Sequence, residues 1–305
     1  MLQISIIIIT YNRPGDALDL LQCINRLHKK DILLKEVILL NNASTNSYAP
    51  VKDFIDKHPG NKVLYKDAPS NLGVSAGRNY AAAMATGNLL LFLDDDIIIE
   101  NRDLLSGIVT AFSATTAADR PLGVICGKVR YTENRQVQVN AFPHKQYENY
   151  KNAARFLTSY YIGCAHVFLR ECWMAAGNYP EDFFYGMEEY DESYRVIDTG
   201  YAIGYDASIE VFHKESPQGR TPQSEKLRMM WVNKSVVAWR YLPSLYFVTT
   251  AFAWSGFYLM KSGFSLPGFF KGWLAIFKIP FSKQRSPVKK STRIYLQQVG
   301  ARLWF

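Results

Sequence analysis

Within its first 100 residues the chain sets short apolar runs at regular intervals: ISIIII (Ile4–Ile9), KEVILL (35–40) and NLLLFLDDD (88–96). Between them lie segments of helical character. DALDLLQCINRL (16–27) carries Leu18, Leu21, Ile24 and Leu27 at helical spacing, VKDFIDKH (51–58) predicts a short helix, KVLYKD (62–67) a strand, and SAGRNYAAAMAT (75–86) an alanine-rich helix. The order β-α-β-α-β-α-β predicts an α/β fold with a parallel sheet flanked by helices and joined by right-handed crossovers. Ligands of such sheets bind beyond the carboxyl ends of the strands. At 305 residues and 48% hydrophobic content the chain can bury a full core.

Those carboxyl ends carry the polar signals. TYNR (Thr10–Arg13), NNAST (41–45) and the triplet Asp94, Asp95 and Asp96 each follow an apolar run. Three adjacent carboxylates repel one another, and near a core they are costly unless a cation neutralises them. Extended geometry points Asp94 and Asp96 to one side and Asp95 to the other, and two carboxylates on one side can hold a hard divalent ion that also grips a diphosphate. The bland alternative is a strand ending in a solvated loop. A second acidic group, Glu188, Glu189, Asp191 and Glu192, is either a solvated helix start favoured by the macrodipole or a general-base site. On a helix Glu188, Asp191 and Glu192 share a face and Glu189 lies off it. The run DFFYGM (182–187) before it reads as a chain entering a pocket. His213, ending SIEVFH, is either a structural histidine or a ligand.

Charge is unevenly spread. From Lys214 onward there are 15 Lys and Arg against 2 Asp and Glu, whereas the preceding residues carry 20 against 25. The basic tail predicts an anionic partner. No nucleic-acid recognition motif accompanies it, so no nucleic acid is expected. The uncharged stretch Tyr241–Met260 approaches the length of a membrane span, but Pro243 and its Thr, Ser and Gly residues favour a pair of interfacial helices with Trp231, Trp239, Trp254 and Trp273 as anchors; a packing or oligomer surface is the third reading. The four cysteines form no CxxC pair and predict reduced thiols in a cytosolic compartment. MLQISIIIIT lacks a basic leader and reads as a first strand.

SIIIITYNRP, VILLNNAST, NLGVSAGRNYAAAMATGNLLLFLDDDI and FFYGMEEYDESYRVIDTGYAIGYDASIEVFH together resemble the inverting family-2 glycosyltransferases of GT-A fold, over roughly residues 3 to 215. The resemblance implies a catalytic domain over 1–215, with a nucleotide-binding half (1–130) and an acceptor half (131–215), followed by a basic, aromatic-rich helical region (216–305). It implies a UDP- or dTDP-linked nucleotide-sugar donor held by Thr10, Tyr11, Arg13, Asn41, Arg78, Asp94 and Asp95. The GRN segment (77–79) would belong to the same pocket. Mg2+ or Mn2+ would be held by Asp96 and His213, and Glu189 would be the general base, with Glu188 or Asp191 able to share the role. Gly163, Cys164 and Ala165 would admit the acceptor. Tyr160, Tyr161, Trp173 and Tyr179 are either core or sugar-stacking, and residues 131–155 read as a variable excursion on the acceptor side.

Two departures stand out. Asn41 replaces the more frequent aspartate, which alters the base-reading donor and acceptor pattern, and Glu189 is one methylene longer than the usual aspartate. The tail resembles that of bacterial members acting on lipid-linked or polysaccharide precursors at the inner face of the cytoplasmic membrane. The expected acceptor is a glycan or lipid-linked saccharide, the tail being in peripheral contact with an anionic membrane. HKESPQGRTPQ (213–223) reads as a linker or a loop over the site. Rival readings are a sugar-nucleotide pyrophosphorylase, disfavoured because TYNRPGD is not its glycine- and arginine-rich loop, and a silent carbohydrate-binding or scaffold protein.

Overall fold

A computed structural model describes residues 2–114, 120–215 and 222–303. The first half alternates as expected. Strand β1 (Ile4–Thr10) leads to α1 (Pro14–Asn25), which Pro14 starts, and then to α2 (Lys30–Leu33) and β2 (Leu34–Asn41). Next come α3 (Ala49–Lys57), β3 (Val63–Asp67), α4 (Gly73–Ala82) and β4 (Leu89–Asp94). Helix α1 buries Ala17, Leu20, Leu21 and Ile24, leaving Leu18 at the edge of the stripe.

The chain continues through β5 (Ile97–Ile98), α5 (Leu104–Ala114), β6 (Leu122–Tyr131), α6 (Tyr147–Tyr150), β7 (Arg155–Thr158) and β8 (Ala165–Leu169). Helices α7 (Arg170–Ala176) and α8 (Glu188–Asp198) precede β9 (Ala202–His213). The 9-stranded sheet runs β3-β2-β1-β4-β8-β6-β9-β5, with β7 beside β9. It is mixed: β1 to β4 pair in parallel, and β8 enters antiparallel to both β4 and β6. Both faces of the central strands are buried. Ile7, Leu90 and Phe92 pack in one core, Ile6, Ile8, Leu91 and Leu93 in the other, as period-2 side chains require.

Among the described residues the tail's regular elements are all helices: α9 (Gln223–Tyr241), α10 (Ser244–Lys261), α11 (Leu266–Ser282) and α12 (Lys290–Gln298). Helix α9 shares one core with the sheet, where Leu227, Trp231, Val236 and Val237 join Phe92, Phe168 and Ile203. Trp231 is fully buried and donates its indole N–H to the Ala251 carbonyl at 2.9 Å. Its ring lies so close to Gly272 that a Cβ there would fall 2.2 Å from it. Among the described residues no helix is long and apolar enough to cross a membrane, which removes the spanning reading of Tyr241–Met260. Pro243 breaks that stretch between α9 and α10.

One tryptophan anchor is corrected: Trp231 is core, whereas Trp239, Trp254 and Trp273 are half-buried against other rings. The exposed apolar side chains of the tail include Phe252, Phe270, Leu274, Phe277 and Phe281.

Candidate functional site

Register brings the polar signals together. Thr10 lies opposite Asn41, and Ile9 opposite Asp94, so three strands end side by side. The turns leaving them are interlocked. Asn12 adopts a left-handed backbone (φ 57) and its side-chain oxygen accepts from the Thr45 amide at 2.8 Å, while Ser44 accepts from the Asn12 amide at 2.8 Å. Tyr48 is a hub that the sequence did not advertise. Its hydroxyl meets Thr10 Oγ1 at 2.7 Å and accepts from the Arg13 amide at 3.2 Å. Tyr11 is half-buried at the same edge. Asn41 is anchored rather than free: its amide donates to Asp67 (2.8 Å) and Tyr65 (3.0 Å), and its oxygen accepts from the Ser44 amide (3.0 Å).

The aspartate triplet is tied to several partners. Arg13 places one guanidinium nitrogen 2.9 Å from Asp95 and 3.0 Å from Asp96, so this side chain turns inward onto the carboxylates. Asp95 is buried, and desolvation pushes its carboxyl up to about 7 against the pull of Arg13. Asp96 lies 3.2 Å from His213 Nε2, and the other ring nitrogen of His213 faces Gln138 at 3.1 Å. Burial opposes the imidazolium, but the hydrogen bonds to Asp96 and Cys164 outweigh it and raise the group to about 11. Gln138 reaches this position across 75 residues, without a local signal in the sequence.

Asp94, Asp96 and His213 offer donor atoms that all lie within 4.8 Å of one another. Two carboxylates and an imidazole fit Mg2+ or Mn2+. The geometry thus adds Asp94 to the expected ligands Asp96 and His213, while Asp95, in the turn that follows β4, shares Arg13 with Asp96.

Arg78 joins this group to the second acidic cluster. It is buried, and donates to Asp94 (2.9 Å), to the Gly163 carbonyl (2.9 Å) and to Glu188 (3.2 Å), with Glu189 3.9 Å away. Arg78, expected beside the nucleotide, here bonds the protein's own oxygens. Asn79 likewise turns inward, exchanging two hydrogen bonds of 2.9 Å with the Tyr179 backbone.

Helix α8 starts directly after Gly186 (φ 79) and Met187 (φ 73), two successive left-handed residues. That costly backbone points the first turn of α8 at Arg78. Glu188 is buried and Glu189 has a side chain 18% exposed. Burial raises both carboxyls, and in Glu189 the neighbouring Glu188 adds to the rise while Arg78 opposes it. Asp191 is not brought to this place. It is held one turn further along α8 by Arg240 (2.8 Å), Arg195 (3.1 Å) and Tyr241 (3.0 Å).

The predicted acceptor loop is partly corrected. Gly163 abuts Glu189 so closely that a Cβ would lie 1.9 Å from its carboxylate, which explains the glycine. Cys164 and Ala165 are buried below: the Cys164 carbonyl accepts from the Asp94 amide (2.9 Å), and Ala165 pairs with Leu93 in the sheet. Tyr161, Trp173 and Tyr179 are packed in the core, and Tyr160 is buried with its ring stacked on Tyr190. Residues 131–155 include α6 and one edge that reaches His213 through Gln138. The loop expected over the site falls largely on 216–221, outside the described residues.

Comparison with known proteins follows the same outline. The sequence model described as Glycosyl transferase family 2 matches residues 5–173, more than half of the chain. An uncharacterized protein of Haemophilus influenzae is 30% identical over 177 residues, covering 58% of this chain and 92% of that protein. The uncharacterized glycosyltransferase YwdF of Bacillus subtilis is 33% identical over 95 residues, 31% of this chain and 33% of its own length. Among solved structures, the mannosyltransferase PcManGT of Pyrobaculum calidifontis, in complex with GDP-Man and Mn2+, superposes with a TM-score of 0.60 at 17% identity, covering 98% of this chain and 84% of that one. S. aureus TarS 1–349 in complex with UDP-GlcNAc gives 0.64 at 15% identity, with 91% and 81% covered.

Proposed function

The chain belongs to glycosyl transferase family 2 and has the GT-A fold, and from that premise we propose that it moves a sugar from a UDP- or dTDP-linked donor to a hydroxyl of a glycan or lipid-linked saccharide, inverting the anomeric carbon. The observation that carries this reading is the span of Arg78. It touches Asp94 at one end and Glu188 at the other, so the cation-binding donors and the paired glutamates flank one guanidinium.

Each residue then has a task. Thr10, Tyr11, Arg13 and Asn41 form the floor at the strand ends where the nucleotide lies, Tyr48 and Asp67 fixing two of them. Asp94, Asp96 and His213 would hold Mg2+ or Mn2+, which when bound supplies positive charge to the departing diphosphate. Glu189 takes the proton of the attacking acceptor hydroxyl. The new bond forms at the anomeric carbon from the face opposite the diphosphate, which leaves with the electron pair of the broken bond. Arg78 is a positioning residue, keeping Asp94 and Glu188 at fixed separation.

The test is calorimetric titration of UDP, dTDP and GDP with and without Mn2+, on the wild type and on Asp96→Ala. One nucleotide is expected to bind in a metal-dependent way, and Asp96→Ala to weaken it at least about tenfold, as loss of a charged ligand predicts. Failure of all three nucleotides to bind would favour the silent scaffold reading.

For the tail, α10 and α11 support peripheral contact with an anionic membrane. Phe252, Phe270, Phe277 and Phe281 are exposed, Phe281 by 92%, with exposed Lys261, Lys271 and Lys278 interspersed. Replacing Phe277 and Phe281 together by Ser is expected to reduce sedimentation with phosphatidylglycerol vesicles by roughly tenfold or more, each ring contributing about 1.5–3 kcal/mol. The melting temperature should change little, because both rings are largely exposed, Phe277 touching the Trp273 ring with centroids 5.5 Å apart. Unaltered vesicle binding would exclude this face as the membrane contact.

A further inference from the structure

A second cavity, of about 410 Å³, lies where the catalytic half meets the tail, lined by Tyr160 and Tyr190 on one side, Trp254 of α10 on another, and Lys145, Lys234 and Arg302. No acidic side chain lines it among the described residues. Lys234 is nine-tenths buried and pairs with no carboxylate among those residues; its ammonium lies 3.6 Å from the centre of the Tyr190 ring. Lys145 approaches the same two tyrosines, 5.3 Å from Tyr160 and 5.9 Å from Tyr190. A buried ammonium without an anion destabilises a fold, and one facing a cavity is suited to an anion that arrives from outside.

Glu189 does not line the cavity, but its wall begins one residue further along α8. Tyr190 follows Glu189 on the first turn of α8, and the Tyr160 ring stacks on it at 4.9 Å, three residues before the Gly163 that touches Glu189. We propose that this cavity is the acceptor subsite and that it takes a phosphorylated saccharide: the sugar lies against the tyrosine rings, and its phosphate meets Lys234 and Lys145. This rests on the acceptor role given to Glu189 above. The outer wall includes Phe257, 37% exposed, on the helix that also exposes Phe252 and Met260, so the phosphate is open to either a soluble or a lipid-borne source. Burial, and Lys145 beside it, push the Lys234 ammonium down to about 7, the direction expected of a cation kept without a counter-ion.

The test uses the full chain without divalent metal, so that the strand-end site does not compete. Glucose 1-phosphate and glucose are titrated calorimetrically, and phosphatidylcholine vesicles with and without glucosyl polyprenyl phosphate are sedimented with the protein. Preference for glucose 1-phosphate over glucose marks a soluble acceptor, and co-sedimentation only with the glucosyl polyprenyl phosphate vesicles marks a lipid-borne one. In either case Lys234→Met is expected to lower binding about tenfold or more, while the melting temperature stays level or rises because an unpaired buried charge is gone. Lys145→Gln, on a more accessible side chain, should weaken binding in the same direction. Undiminished binding in Lys234→Met, equal binding of glucose and glucose 1-phosphate with no vesicle preference, or a lower melting temperature with unchanged binding would overturn the inference. Nucleotide affinity separates the two readings. If phosphate binding fails while UDP, dTDP or GDP still binds, the subsite alone is wrong; if phosphate binds and no nucleotide does, the donor reading is wrong.

Discussion

Glu189→Gln is expected to slow sugar transfer by about 10²–10⁴-fold, the usual contribution of a positioned general base, while leaving nucleotide affinity unchanged. The amide keeps the size of the side chain against Gly163 but cannot accept the acceptor's proton. The pH dependence gives a second readout. Burial and the adjacent Glu188 raise the Glu189 carboxyl above its ordinary range, so the group is protonated and idle at low pH and becomes a competent base only as pH rises through the raised value. The wild-type rate should therefore climb with pH on a limb that Glu189→Gln lacks. Glu188→Gln removes a like charge from beside the base, and should move that limb to lower pH while retaining transfer. Retained transfer in Glu189→Gln with loss in Glu188→Gln would reverse the assignment. Equal loss of transfer and nucleotide binding in Glu189→Gln would contradict a base role altogether.

Trp231→Ala is expected to destabilise the whole chain by about 3–5 kcal/mol, the cost of emptying a large buried aromatic site. The ring is fully buried against Tyr258, Phe269 and Trp273, and its N–H is satisfied by the Ala251 carbonyl. Urea denaturation followed by circular dichroism measures it. A single transition shifted to lower urea would show that tail and sheet unfold together, as their shared core implies. An early minor transition, with the sheet unfolding at the wild-type midpoint, would show that the tail is a separate unit.

The parallel half of the fold was legible because its strands announce themselves by local composition. Ile4–Ile9 and Leu89–Leu93 have no polar alternation to obscure their burial, and the polar turns mark where each ends. Carboxylate alternation at 94–96 was not legible in this way, since β4 ends at Asp94, and Asp95 and Asp96 lie in the turn after it, where Arg13 reaches both. What escaped the sequence depends on contacts between distant positions. Arg78 resembled a ligand-facing residue, but its direction is decided by Asp94, Gly163 and Glu188, 16, 85 and 110 residues away. Glu188 and Asp191 stood as alternatives to Glu189 on one helix face, and what engages Asp191 elsewhere is Arg240 and Tyr241, 49 and 50 residues away. In the tail, net charge described the surface well and the interior badly: Lys226 and Lys234 are buried on α9 beside Trp231, a placement that a count of cations cannot show.

The shared core also fixes an order in time. Strands β1 to β4 come from one unbroken stretch and pair in parallel with one another, so they can assemble while the ribosome is still at work, with only the far edge of β4 left for β8. The rest must wait. Strand β6 lies between β8 and β9, both made later, and the buried carboxylate of Asp191 lacks Arg240 and Tyr241 until 49 and 50 further residues have been added. The half of the molecule that carries Glu189 therefore matures only near the end of synthesis. A ribosome stalled before α9 would hold a chain with a finished nucleotide floor and no settled base.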